Sequence, residues 1–149
     1  MTGGPGDDGQ LATLYREVIL AHAAKPHGHG VCIEATHEAE GHNPLCGDQV
    51  LVRFAVDSNS GRIEAAAFDG EACAICMASA SLLCEHLPGR DSAGVSALLD
   101  GYQATLTAGA TDVSSCPDFL VPMLGVKDYP ARVACATLPW RTALDALNR

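Results

Sequence analysis

Cys46, Asp48, Cys73 and Cys135 are the side chains of this sequence best suited to do chemistry together. They stand in three short segments: Asn43-Pro44-Leu45-Cys46-Gly47-Asp48, Gly70-Glu71-Ala72-Cys73 and Pro130-Ala131-Arg132-Val133-Ala134-Cys135. Three thiols and one carboxylate make four ligands, the number a tetrahedral zinc or an iron–sulfur cluster takes. A carboxylate is a harder donor than a thiolate, which suits a site that must open more than a permanent structural one. Taken alone, Asp48 is also a residue type that caps turns. The four are far apart in sequence, so spacing by itself does not select them.

The thiolate is the form that binds metal and attacks sulfur. Cys73 and Cys135 are each expected at a helix N-terminus, where unpaired amides and the helix dipole favour that form. Cys73-Ala74-Ile75-Cys76 also matches Cys-x-x-Cys, a thioredoxin-like redox signature. Such a motif follows a strand in a βαβ unit, and no parallel crossover is read here. Cys76 is therefore expected to pack, or to serve as a spare thiol, one helical turn from Cys73. Cys32 and Cys84 are read as small buried hydrophobes. Six histidines are present; His27-Gly28-His29 has the look of a metal clip but is read as an exposed polar loop, and His42 is placed near the site without being read as a ligand.

Charge and composition exclude several function classes. The net charge is -9 and only nine Lys and Arg are present, so the clustered cations that phosphates need are missing and neither nucleic acid nor an anionic membrane is an expected partner. The polar, Gly-rich start from Met1 to Gln10 has no basic or apolar region of a secretory signal. No stretch approaches the ~20 apolar residues of a membrane span, so a cytoplasmic location is expected. Seven cysteines, an odd number, then point to metal or thiol chemistry more than to disulfides. With 149 residues, 48% of them hydrophobic, the chain is long enough for a real core.

The elements that must position the four ligands follow from periodicity. Residues 1–9 are expected to be disordered, and residues 10–149 to form one domain. Leu11 to His22 has apolar residues at 11, 14, 15, 18 and 19, the spacing of a helix with one apolar face. Val31 to Glu40 is weakly strand-like and is followed by a tight turn at Gly41-His42-Asn43-Pro44. Val50, Val52, Phe54 and Val56 share one face of a strand, Asp57 to Gly61 is a five-residue hairpin loop, and Arg62 to Phe68 is the partner strand. Ala74 to His86 is helical. Asp91 or Ser92 caps a further helix to about Leu106, with Val95, Leu98, Leu99 and Tyr102 inward. Thr107 to Asp118 is a loop, and Phe119 to Leu124 a short helical turn. The last helix is expected over Ala136 to Leu147, since Pro139 is tolerated only near a helix start. Strands flanked by helices without strict alternation indicate α+β.

These segments carry a resemblance. From Leu14 to about Leu147 the chain resembles the U-type iron–sulfur cluster assembly proteins: IscU, SufU and the N-terminal part of NifU. Asn43-Pro44-Leu45-Cys46-Gly47-Asp48 matches that family's Asn-Pro-x-Cys-Gly-Asp. Met77-Ala78-Ser79-Ala80-Ser81, Gly125 to Arg132 and Cys135-Ala136-Thr137-Leu138 resemble the SufU branch, as does the long separation of Cys73 from Cys135. Ala134 stands where IscU carries a His, and Cys76 where the family usually has Ser. The resemblance implies a small antiparallel sheet of about three strands packed on one side by helices. It implies Cys46, Asp48, Cys73 and Cys135 as ligands of zinc, iron or a [2Fe–2S] cluster, and Cys135 as the acceptor of sulfur from a SufS-like cysteine desulfurase. Arg132 lies in a region that some SufU-like proteins use toward the desulfurase, and iron–sulfur assembly or client proteins would be further partners. Such a protein is a scaffold or a sulfurtransferase-type accessory protein more than a classical enzyme. A thiol oxidoreductase using Cys73 and Cys76 and a structural zinc interaction domain are the alternatives; an Asp in the ligand set speaks against the second.

Overall fold

A computed structural model describes residues 5–107 and 114–149, with side chains from Thr13 onward. Helix α1 (Pro5–Ala24) starts at a proline, whose fixed φ suits the first helical turn. It begins inside the segment expected to be disordered; residues 1–4 lie outside the described residues. Its half-buried face runs through Tyr15, Val18, Ile19, His22 and Ala23, while Leu14 of the expected stripe is exposed. The helical period was legible, and the face is turned towards α2, against which α1 packs.

Three antiparallel strands follow in the order β1 (His37–Asn43), β2 (Asp48–Val56) and β3 (Ile63–Glu71). Val50, Val52 and Phe54 are buried on one face of β2 as alternation predicts. The turn expected at Gly41 to Pro44 is displaced. Gly41 pairs with Val50 and His42 with Gln49, so ladder pairing overrides the local glycine signal and the connection is Pro44 to Gly47.

Helix α2 (Ala74–His86) and helix α3 (Ser92–Leu106) lie where periodicity puts them. The Asp91 side chain caps α3 by accepting from the Gly94 N–H at 2.8 Å. Of the expected inward residues Val95, Leu99 and Tyr102 are buried, and Leu98 is partly so. The expected turn at 119–124 is longer, a 3₁₀ stretch from Asp118 to Asp128. Part of the expected loop over 107–118, residues 108–113, lies outside the described residues.

Helix α4 (Pro130–Leu147) begins well before Ala136, the expected start. Pro130, not Pro139, occupies the first turn, and Pro139 sits in the interior. A proline there has no N–H for the carbonyl four residues back, which belongs to Cys135. Helix α4 packs on β1 and β2, α2 on β3, and the two helices on each other. Ala78, Ser79 and Ala80 are small and buried. Ser79 Oγ donates to the Ala136 carbonyl at 2.6 Å and accepts from Trp140 Nε1 at 3.1 Å, so the helices carrying Cys73 and Cys135 are fixed against each other. The fold is α+β, a three-stranded antiparallel sheet with helices on it.

Candidate metal centre

The site is assembled from one hairpin turn, the N-cap of α2 and the second turn of α4. In the turn, the Cys46 N–H donates to the Asn43 carbonyl at 3.2 Å, and Gly47 takes a left-handed φ of 71°, a conformation glycine adopts without a Cβ clash. This short connection returns the chain to β2 at Asp48, opposite Asn43. Cys73 is the N-cap residue of α2, as expected. Cys135 is not at a helix N-terminus. Because α4 starts at Pro130, Cys135 lies in its second turn, fully buried, with Sγ 3.5 Å from the Ala131 carbonyl oxygen.

Donor atoms of Cys46, Asp48 and Cys135 lie within 4.8 Å of one another. Cys73 lies beside this group, its thiol outside the 4.8 Å set. Its backbone N–H donates to Asp48 Oδ1 at 2.8 Å, and its side chain interacts with the Cys135 thiol. Asp48 is 1% exposed, and a buried carboxylate needs partners. It finds them in Cys73 and in the Asn43 amide, 3.4 Å from Oδ2. The same Asn43 amide lies 3.4 Å from Cys135 Sγ. Asn43 thus bridges two of the candidate ligands, a place the sequence alone did not give it. Its place in the motif was visible, while its reach to a residue on α4 was not.

Burial, and then hydrogen bonding to Asp48, Cys46 and Cys73, raises the Cys135 thiol above the ordinary cysteine value. That reverses the expected easy ionisation, because a buried second-turn position lacks free amides and faces a carboxylate. A cation at the centre would turn the balance round, since a metal deprotonates the thiol it binds. The exposed Arg132 guanidinium supplies part of that positive field: Cys73, Cys135 and Cys46 raise its pKa further. The donor set, soft thiolates with one carboxylate, fits zinc or iron.

The remaining cysteines separate clearly. Cys84 is buried as expected, whereas Cys32 is exposed, because residues 31–35 form no strand to cover it. Cys76 is fully buried, and burial, then Asp48, Cys73 and Cys46, raises its pKa. A thiol so placed is a poor redox partner for Cys73. His42 is exposed on β1, facing Gln49 across the ladder. A groove of about 470 Å³, lined by Cys73, Ile75, Val126, Tyr129 and Arg132 among others, opens beside the centre. Leu45 at the turn tip and Tyr129 are large exposed apolar side chains.

Residues 14–136 match the family described as NifU-like N-terminal domain. The chain belongs to that family. Among curated relatives of this NifU-like chain, it is 33% identical to the zinc-dependent sulfurtransferase SufU of Bacillus subtilis (strain 168), over 88% of this chain and 87% of the relative. It is 32% identical to the iron–sulfur cluster assembly scaffold protein IscU of Thermotoga maritima, over 91% of this chain and 94% of the relative. The crystal structure of the N-terminal part of a nitrogen-fixing NifU-like protein from Brucella abortus has a TM-score of 0.79 at 25% identity, covering 90% of this chain and 92% of that one.

Proposed function

We propose that this chain, acting as one unit over residues 10–149 in the cytoplasm, accepts sulfur from a SufS-like cysteine desulfurase for iron–sulfur cluster assembly. Cys46, Asp48, Cys73 and Cys135 are its metal ligands, and Cys135 is the acceptor. The observation that carries this reading is the convergence of Cys46, Asp48 and Cys135 to within 4.8 Å, with the Cys73 backbone N–H bonded to the same carboxylate. Zinc held by these four residues would keep the thiols ionised and protected from oxidation. The SufU relative, described as a zinc-dependent sulfurtransferase, supports sulfur transfer. The IscU relatives, described as scaffolds, support a [2Fe–2S] cluster as cargo on the same residues.

The step asks the following of the chain. The donor's persulfide approaches through the open groove beside Cys73, past Arg132, whose charge favours an anionic sulfur. The Cys135 thiolate attacks the terminal sulfur of that persulfide. A sulfur–sulfur bond forms on Cys135, the donor's sulfur–sulfur bond breaks, and the donor cysteine leaves as a thiolate. Asn43 and Asp48 hold the Cys135 sulfur in place, and no external oxidant or reductant is consumed.

The test is persulfide formation on the chain, read by mass spectrometry after alkylation, with a desulfurase and cysteine supplied. Cys135→Ser should fall to background, and Cys76→Ser should match wild type. Sulfur acceptance at the wild-type rate in Cys135→Ser would overturn the assignment, and loss in Cys76→Ser alone would favour the oxidoreductase reading. Metal and acid-labile sulfide measured on anaerobically purified protein separate the two roles: zinc without sulfide favours transfer, and equal iron and sulfide favours the scaffold.

A further inference from the structure

A second set of donors shares no residue with the cysteine centre. It lies where the end of α1, the loop after it and the end of α2 meet. His22 is in the last turn of α1, His27 in the loop, and Glu85 next to last in α2. One donor atom of each lies within 4.8 Å of the other two. His27 Nε2 is 2.9 Å from Glu85 Oε2, and the His22 and His27 ring centroids are 5.4 Å apart.

The cluster is built, not a chance meeting of long surface side chains. Ser81 is fully buried and its Oγ bonds twice, to His22 Nδ1 at 2.7 Å and to the His27 N–H at 2.9 Å. An Nδ1–H donated to Ser81 fixes the His22 ring and leaves the Nε2 lone pair free, the arrangement in which a histidine binds metal. Gly28 (φ 80°) presses the loop onto α2, since a side chain there would strike Cys84 Sγ. Its carbonyl accepts from the Phe68 N–H at 2.9 Å. Glu85 is held from its other oxygen by His86 Nε2 at 3.0 Å, and the His86 ring stacks on Phe119 at 4.0 Å between centroids. Two imidazoles and a carboxylate in one 4.8 Å cluster are the donor set of a zinc-class divalent cation.

We propose that His22, His27 and Glu85 bind a zinc-class divalent cation that staples α1 to α2. His29, the other half of the sequence pair His27-Gly28-His29, takes no part; its Nε2 lies 3.2 Å from the Gly70 carbonyl oxygen.

The test titrates the metal-stripped, reduced full chain with Co²⁺, reading total bound cobalt and the thiolate-to-cobalt charge-transfer band. Two ions per chain are expected, only one contributing to that band. His27→Gln and Glu85→Gln, folded by circular dichroism, should each lose one ion and keep the band. One ion without the band, lost in both variants, would support this site and count against the cysteine centre. One ion with the band, unchanged in both variants, would overturn the proposal, as would two ions retained in both. Should neither variant fold, Zn²⁺ added to the wild type should shift the His22 and His27 ring protons in NMR spectra and leave those of His37 in place; unmoved His22 and His27 signals would overturn it.

Discussion

The two hairpin turns of the sheet each carry an aspartate beside β2, and the two carboxylates have opposite fates. Asp57, at the turn into β3, is only partly buried and spends its oxygens locally, on the N–H groups of Asn59 and Ser60 and on Ser60 Oγ at 2.8 Å. Asp48, at the turn from β1, is buried and makes no such local bond. Its partners are Asn43 across the turn and Cys73, on the far side of β3. Asp57 is the turn cap that Asp48 was also eligible to be. The residue type is the same, but Asp57 opens its turn, where its oxygens reach the N–H groups that follow, and Asp48 closes its own as the first residue of β2, with α2 and α4 packed over it. A carboxylate becomes a ligand candidate when long-range packing removes its local partners and places thiols around it.

The largest effect should come from Asp48→Ala. It leaves the part-buried Cys73 N–H without its acceptor and the Asn43 amide with only Cys135 Sγ, which costs about 1–3 kcal/mol. Urea unfolding of the metal-free protein should show that loss, and zinc affinity should fall with it. A loaded cluster should at the same time live longer, because the harder, more labile donor is gone. Wild-type stability would break the contrast between the two turns, and cluster decay at the original rate or faster would remove the labile-ligand role.

Asn43→Ala should be next. It keeps every ligand but removes the amide that orients both Asp48 and Cys135. Outer partners of this kind are typically worth 10–100-fold in metal affinity. Competition against a chelator measures it, and unchanged affinity would mean that the amide only fills space.

Local features were legible and long-range ones were not. The bounds of α2, the Asp91 cap and the buried face of Val50, Val52 and Phe54 follow from nearby residues alone. So does the placing of Cys73 at a helix start. The beginning of α4 was misread because Pro130 and Pro139 are each able to open a helix, and only packing of α4 on the sheet and α2 decides between them. From that one error came the expectation of an easily ionised Cys135. Gly41 signalled a turn because its pairing with Val50 is not a local property. The His22, His27 and Glu85 cluster was hidden for the same reason: the sequence pairs His27 with His29, whereas the fold clusters its ring with His22 and with Glu85 of α2.

The smallest effect, and the sharpest control for Asp48, is at Asp57. Hydrogen bonds from Ser60 first, then Asn59, hold its pKa below the ordinary 3.8. A folded-state pKa below the unfolded one means that the stabilisation is fully present above the unfolded value and is lost as pH falls through the folded one. Asp57→Asn should therefore lower stability slightly at neutral pH and flatten the acid limb between about pH 5 and pH 2, where carboxylates protonate. Metal affinity should not move, since no donor of the cysteine centre touches this turn. Thermal melts across that pH range read the first two effects and a zinc titration the third. An acid limb as steep as wild type would deny Asp57 its capping role. A change in zinc binding would mean that the two ends of the sheet are coupled, and that burial alone does not separate the two aspartates.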